Sequence, residues 1–286
     1  MNEATKGWVN GLIGVTIFAG SLPATRVAVA DFDPLFLTAI RALIAALLGV
    51  FLLIVLKQPK PKLTDLPSLA MSALGVVIGF PLLTALALQY VTSAHSIVFI
   101  GLLPLCTALF AVLRAGERPK PLFWVFSILG AAFVAGYSAF GSSGASLKGD
   151  LLMLAAVLVC GFGYAEGARV SRTLGGWQVI CWALLLSLPI MLPIALWDMP
   201  SSFSHVSLSA WFALAYVSIF SMFLGFVFWY KGLVQGGIAA VGQLQLFQPF
   251  IGLTLAAVLL HESVSWTMLV ITLIAVLCVA GSKKYA

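Results

Sequence analysis

Charge is what this chain has least of. Only 8% of its 286 residues are Asp, Glu, Lys or Arg, 62% are hydrophobic, and the mean hydropathy is +1.12. Soluble domains run near about 50% apolar and about 25% charged. Fifteen basic and nine acidic side chains are too few to clothe a globule of this size in water, which excludes a soluble fold and leaves an integral membrane protein. The four cysteines, Cys106, Cys160, Cys181 and Cys278, fall inside apolar runs with no C-x-x-C spacing. They read as small buried hydrophobes, and neither a metal nor another cofactor is expected. Enzyme motifs are missing as well. His261-Glu262 lacks the second histidine of a zinc protease, G-x-S-x-G does not occur, and Gly161-Phe162-Gly163-Tyr164-Ala165-Glu166-Gly167 has no preceding strand pattern. That glycine series reads as a close helix-packing face, and the protein is not expected to be an enzyme.

What is present is a succession of apolar runs. The longest stretch free of charged side chains, Leu66 to Leu113, has 48 residues and as one helix would be about 72 Å long, twice the roughly 30 Å of a bilayer core. It therefore divides, and the polar stretch Gln89-Tyr90-Val91-Thr92-Ser93 is the natural place. The same rule predicts ten helices: Gly7 to Val27, Pro34 to Leu56, Pro67 to Gln89, Ser93 to Leu113, Pro121 to Phe140, Gly149 to Val170, Trp177 to Trp197, Ser209 to Tyr230, Gly236 to Leu260 and Val264 to Gly281. Pro34, Pro67 and Pro121 open three of them, where a missing N–H costs nothing. No strand pattern is visible, so the fold class is an all-α integral membrane protein. Lys6 precedes the first apolar run, but no A-x-A-like site ends it, so an uncleaved first helix is expected.

Basic residues set the orientation. With both termini cytoplasmic, twelve of the fifteen Lys and Arg face inside and only Arg26 and Lys148 face outside, Arg41 lying within a span. This predicts a multi-pass protein of the plasma (bacterial inner) membrane with both termini cytoplasmic. The net charge of +6 is accounted for in the same way, so nucleic acid is not an expected partner; the lipid bilayer and a small-molecule substrate are. Nothing in the chain sets an oligomeric state.

A shift of 145 residues lays Pro104 on Pro249, Glu117 on Glu262, and Val134-Ala135-Gly136 on Val279-Ala280-Gly281. Five helices per half is an odd number, so the second half enters the membrane inverted. The loop around Glu117 carries Arg114, Arg118 and Lys120, whereas that around Glu262 carries no basic residue. Two inverted five-helix repeats, residues 1–145 and 146–286, are the expected domains, an arrangement typical of secondary transporters.

These residues resemble the EamA-domain transporters of the drug/metabolite transporter superfamily. The resemblance rests on Gly20-Ser21-Leu22-Pro23-Ala24-Thr25-Arg26 in the first helix and on Arg41 ahead of an Ala/Leu-rich run. It continues with Ala87 to Ala94 followed by Pro104 and Gly116-Glu117, and with Pro249, Glu262 and Ala280-Gly281 in the second half. Two places depart from the pattern: Ala19 stands where a tryptophan is usual, and Cys160-Gly161-Phe162-Gly163 replaces its counterpart. The resemblance implies a ten-helix bundle with a central cavity lined mainly by helices 1, 3, 4, 6, 8 and 9, alternating access, and export of amino acids or other small metabolites.

Several residues are candidates for that cavity. Pro104 and Pro249, read as lying inside helices 4 and 9, free the carbonyls of Ile100 and Gln245 for a partner or a wet cavity. Gln243, Gln245 and Gln248 are costly amides at membrane depth, to be spent on lining the cavity or on bonds between helices. Thr84, Tyr90, His95 and Phe99 on helices 3 and 4, and Ser218, Ser221 and Trp229 on helix 8, are further candidates. The substrate-binding set is thus Gln245, Gln248, Pro249, Pro104, Tyr90, Phe99, Thr84, Trp229 and Ser221. Arg41 is expected in a gating or structural ion pair with Asp31 or Asp33, and Glu166 in one with Arg169. Glu117 and Glu262 are expected to cap the helices they open, and the histidines to be solvated at the outer surface. With only Arg41 clearly within a span and Glu166 near the inner rim, amides, hydroxyls and aromatics suit a neutral or zwitterionic solute such as an amino acid. The alternatives are a multidrug efflux carrier, a lipid scramblase or a membrane-embedded enzyme.

Overall fold

A computed structural model describes residues 2–115, 120–140, 146–236, 241 and 243–283. Glu117, together with Arg118 of its loop, lies outside the described residues. The described residues are helical with no strand. In chain order they form α1 (Glu3–Ala19), α2 (Ser21–Ala28), α3 (Pro34–Val55), α4 (Leu66–Ser72), α5 (Phe80–Ala87), α6 (Ser93–Ile100), α7 (Leu103–Ala115), α8 (Pro121–Phe140), α9 (Leu147–Leu174), α10 (Gly176–Trp197), α11 (Leu208–Ala215), α12 (Gly225–Gly236), α13 (Gln248–Leu260) and α14 (Trp266–Lys283). Two π-helical segments, Ala73–Gly79 and Tyr216–Leu224, join α4 to α5 and α11 to α12, and a 3-10 segment, Gln243–Phe247, leads into α13. Six segments are long and apolar enough to cross a bilayer: Thr5–Ala28, Pro34–Val55, Leu66–Ala87, Leu147–Ser171, Gly176–Trp197 and Leu208–Gly232. Four shorter apolar helices, Ser93–Thr107, Pro121–Val134, Leu244–Leu260 and Trp266–Gly281, accompany them. The protein is a multi-pass membrane protein.

The starts of the helices follow from polar residues at the right places. Asp33 accepts from the N–H groups of Leu35 and Phe36 at 2.7 and 3.3 Å, with Pro34 in the first turn. Thr92 caps α6 through the His95 N–H at 3.2 Å, and Ser207 caps α11 through Ala210 N–H at 3.3 Å.

The expected continuous helices 1, 4 and 9 are interrupted, and proline gives the reason. Pro23 has no N–H for the Ala19 carbonyl, and the first span breaks at Gly20 between α1 and α2. Pro104 has none for Ile100, and the fourth breaks at Gly101-Leu102, with Leu102 N–H bonding Phe99 O at 3.0 Å. Pro249 has none for Gln245, and the turn before it tightens to 3-10. Pro104 and Pro249 are therefore first-turn residues of α7 and α13 rather than residues inside uninterrupted helices. Pro81 follows the first π segment, whose wider turn ends with Phe80 N–H bonding Gly75 O.

The packing has membrane polarity. Along α3, Ala39, Ala42, Ala46 and Gly49 are buried, while Leu47, Phe51 and Ile54 are exposed. Small residues turn inward to let α10 approach, and bulky ones face lipid, the arrangement favoured where water provides no drive between helices. A Cβ on Gly75 would lie 2.7 Å from the Gly163 Cα, and one on Gly14 would lie 2.9 Å from the Trp229 backbone nitrogen. The glycine series in α9 is a packing face, as its sequence suggested.

Candidate functional site

The interruptions converge on one place. A cavity of about 30 Å³ lies beside them, lined by Phe18, Ser21 and Leu22 at the first break, Arg41 on α3, Val76, Phe80 and Pro81, Ile100 and Leu103 at the second, Cys160 and Tyr164 on α9, Ser221, Met222 and Phe226, and Gln248 at the start of α13. At about 10–15 Å³ per water, it holds roughly two waters. A smaller recess beside it is floored by Ala19, Ile97 and Gly252 and shares Gln248.

Its walls are mostly apolar, and four of the fifteen lining residues, Phe18, Phe80, Tyr164 and Phe226, are aromatic. Phe18 meets Phe226 edge-on at 4.8 Å, and Tyr164 meets Phe226 at 6.0 Å. The polar groups are few. The Ser221 hydroxyl donates to Ser21 Oγ at 2.9 Å, joining the second π segment to the start of α2, and the Tyr216 hydroxyl donates to Ile17 O at 2.8 Å just ahead of the first break.

Arg41 is the charged member of the lining. It is 4% exposed, its Nη2 reaches Val217 O at a long 3.4 Å, and its Nε has no hydrogen-bond partner. The expected counter-ions are engaged elsewhere. Asp31 accepts from Ser207 N–H at 2.8 Å and from its hydroxyl, and Asp33 caps α3. Among the described residues no carboxylate forms an ion pair with Arg41, so the expected gating pair is not formed and the guanidinium faces the cavity instead. A charge at such depth costs about 2.5–3.5 kcal/mol on insertion scales even before its unmet hydrogen bonds are counted.

The other sequence candidates divide. Gln248 and Ser221 line the cavity with Arg41. Gln245 is buried in the 3-10 turn nearby, its Nε2 without a partner; the side chain of Gln243 lies outside the described residues. Pro104 and Pro249 flank the breaks without lining the space. Thr84 returns its hydroxyl to Phe80 O and Pro81 O at 2.8 and 3.0 Å. Ser218 does the same to Leu214 O at 2.6 Å. Trp229 is core, edge-on to Phe18 at 6.4 Å. Tyr90 lies at a bundle end, exposed, with Lys148 Nζ donating to its hydroxyl at 2.6 Å. Glu166 is buried and Arg169 exposed, so that expected pair is split between interior and surface.

Two arrangements were not foreseen. His95, expected to be solvated, is buried: its Nε2 is 2.6 Å from Asp150 Oδ1, its Nδ1 is 3.1 Å from the Tyr137 hydroxyl, and its ring lies 5.8 Å from that of Phe99. The signal available was Asp150, an acid in the first turn of an apolar helix. Glu262, expected to cap its own helix, instead accepts from Ser93 N–H at 3.1 Å, Ser93 Oγ at 2.8 Å and Ala94 N–H at 2.7 Å. The carboxylate meets a helix N-terminus as expected, but that of α6. His205 and His261 are exposed.

A polytopic bundle with a narrow cavity where broken helices meet is the form of a membrane transporter. The EamA-like transporter family matches residues 5–139 and again 147–282, and the chain belongs to this family. It is 61% identical over 286 residues, all of both chains, to a Bacillus subtilis (strain 168) protein described as uncharacterized transporter YdeK. It is 26% identical over 285 residues to uncharacterized transporter YvbV of the same organism, covering 95% of this chain and 90% of that one. A crystal structure with 18% identity aligns over 98% of this chain and 99% of that chain with a TM-score of 0.67, a likeness of fold.

Proposed function

We propose that this transporter exports amino acids or similar small neutral or zwitterionic metabolites across the bacterial inner membrane by alternating access. The carrying observation is the cavity between the interrupted fourth and ninth spans, bordered by the Gln248 amide, the Ser221 hydroxyl and aromatic walls. Irregular backbone at membrane depth is tolerated where protein or a wet cavity satisfies it, and paired interruptions in two halves point to a transporter's binding site. With room for about two waters, this conformation is read as a closed state that opens to either side. Export, rather than uptake, is taken from the family resemblance.

The reading includes ten crossings in two inverted repeats, with both termini cytoplasmic. Supporting it, the interruptions at Pro104 and Pro249 and the π segments at Ala73–Gly79 and Tyr216–Leu224 recur about one half-chain apart. One bundle end is tied by Asp31 to Ser207, Tyr90 to Lys148 and Ser93 to Glu262, the other by Asn10 to Gln235 and Gln58 to Gln178, as alternating crossings require. A reporter fused after Ala286 that is active only outside the cytoplasm overturns the orientation.

A carrier of cationic drugs places an acid at its site, and the cavity lining here holds none. The test of the substrate class is uptake of radiolabelled amino acids into proteoliposomes, with and without a pH gradient. Amino-acid movement abolished by Gln248→Leu in a folded protein supports the reading, and preference for a quaternary amine or a sugar phosphate overturns it.

A further inference from the structure

We infer that Arg41 forms the subsite for the carboxylate of the transported solute. The inference rests on the transport reading above and adds what the cavity binds by charge. A guanidinium stays protonated under any ordinary condition and offers five N–H donors in a rigid fork. That of Arg41 is buried, spends one donor on a long contact to Val217 O, leaves Nε unbonded and meets no acid among the described residues. A buried cation with open donors, set in a cavity wall, is a group able to receive an anion. Arg41 is the one charged residue among the buried positions of α3, and the position 145 residues later is Leu186.

The surroundings narrow the anion. One guanidinium balances one negative charge, so a monocarboxylate leaves the site neutral while a phosphate dianion leaves it negative. A planar carboxylate also matches the fork with two parallel hydrogen bonds. Phe18, Tyr164 and Phe226 offer an apolar wall for the remainder of the solute, and the Gln248 amide and Ser221 hydroxyl offer neutral acceptors for an amino group. An apolar or aromatic monocarboxylate is the ligand class this lining fits by charge, and an amino acid of that kind adds an ammonium for which the Gln248 and Ser221 oxygens are the acceptors.

The test compares 3-phenylpropionate with 3-phenylpropionamide and phenyl phosphate, read as the shift each causes in the thermal midpoint of the purified wild-type protein in detergent, since a ligand stabilises only the state that binds it. The acid raises the midpoint, and the amide and the phosphate do so at least about tenfold less potently. Arg41→Gln removes the response to the acid without lowering the unliganded midpoint, and Arg41→Lys keeps part of it. Acid and amide acting alike, neither acting, or an acid response intact in Arg41→Gln overturns the inference. If Arg41→Gln does not fold, the wild-type acid and amide comparison decides. In proteoliposomes, amino-acid transport that survives Arg41→Gln overturns the subsite and leaves the transport reading standing. Wild-type vesicles that move no amino acid while 3-phenylpropionate still raises the midpoint overturn the transport reading and leave the subsite.

Discussion

His95 Nε2 and Asp150 Oδ1 lie 2.6 Å apart with both side chains buried, and the Tyr137 hydroxyl sits on the other ring nitrogen, so α6, α8 and α9 are joined by two polar contacts inside an apolar cluster. Removing Asp150 takes the buried His95 Nε2 away from its partner. Asp150→Ala is expected to lower stability by about 1–3 kcal/mol, the range for a buried polar group left without its partner. Tyr137→Phe, which deletes one hydrogen bond, costs about 1 kcal/mol. Denaturation in detergent measures both, and equal small losses would place the pair in a wetter setting than its burial indicates.

Glu262 holds the first N–H groups of α6 and the Ser93 hydroxyl. Glu262→Ala is expected to destabilise by about 1–2 kcal/mol, and Glu262→Gln by less, since the amide oxygen still accepts but no longer opposes the helix dipole. The same denaturation assay orders the two variants.

Gly163 and Gly75 meet backbone to backbone. Gly163→Val is expected to abolish the monodisperse peak in fluorescence size-exclusion chromatography. Gly136→Ala, where an added Cβ meets nothing within 4 Å, leaves it unchanged.

The Asp31 carboxyl is held below its ordinary value by the Ser207 hydroxyl first and the Ser207 N–H second. A depressed carboxylate contributes stability that is present above its unfolded pKa and is lost as pH falls through the folded one. Ser207→Ala is therefore expected to flatten the acid side of a midpoint-against-pH curve, taken between about pH 3 and 6.

The apolar runs were legible because lipid imposes a simple demand, length without charge, and Asp65 and Arg114 bracket the longest of them as plainly as any motif. The interruptions were half legible. Proline announced the lost hydrogen bond at Pro104 and Pro249, but whether the chain kinks, tightens to 3-10 or widens to π depends on what packs against it. Pro23 acts in the same way at the break between α1 and α2. Arg41 was visible as a charge within a span, but its direction was not. Its nearest acids in sequence, Asp31 and Asp33, suggested a pair, whereas its one contact, Val217, is 176 residues away. The aromatic walls, Phe18, Tyr164 and Phe226, were invisible for another reason: in a chain this rich in aromatics, nothing local separates one that faces a cavity from one that faces lipid.

The π segment Tyr216–Leu224 has a bearing on which changes of length this chain tolerates. Its turns accommodate one residue beyond an α-helix, so deleting a single residue there restores an ordinary helix while Phe226 and Trp229 keep facing α1. The same deletion in the middle of α10, which has no surplus, swings everything beyond it by about 100°. The segments Leu66–Ala87 and Leu208–Gly232, each with a π turn, can therefore lose a residue without losing their packing partners.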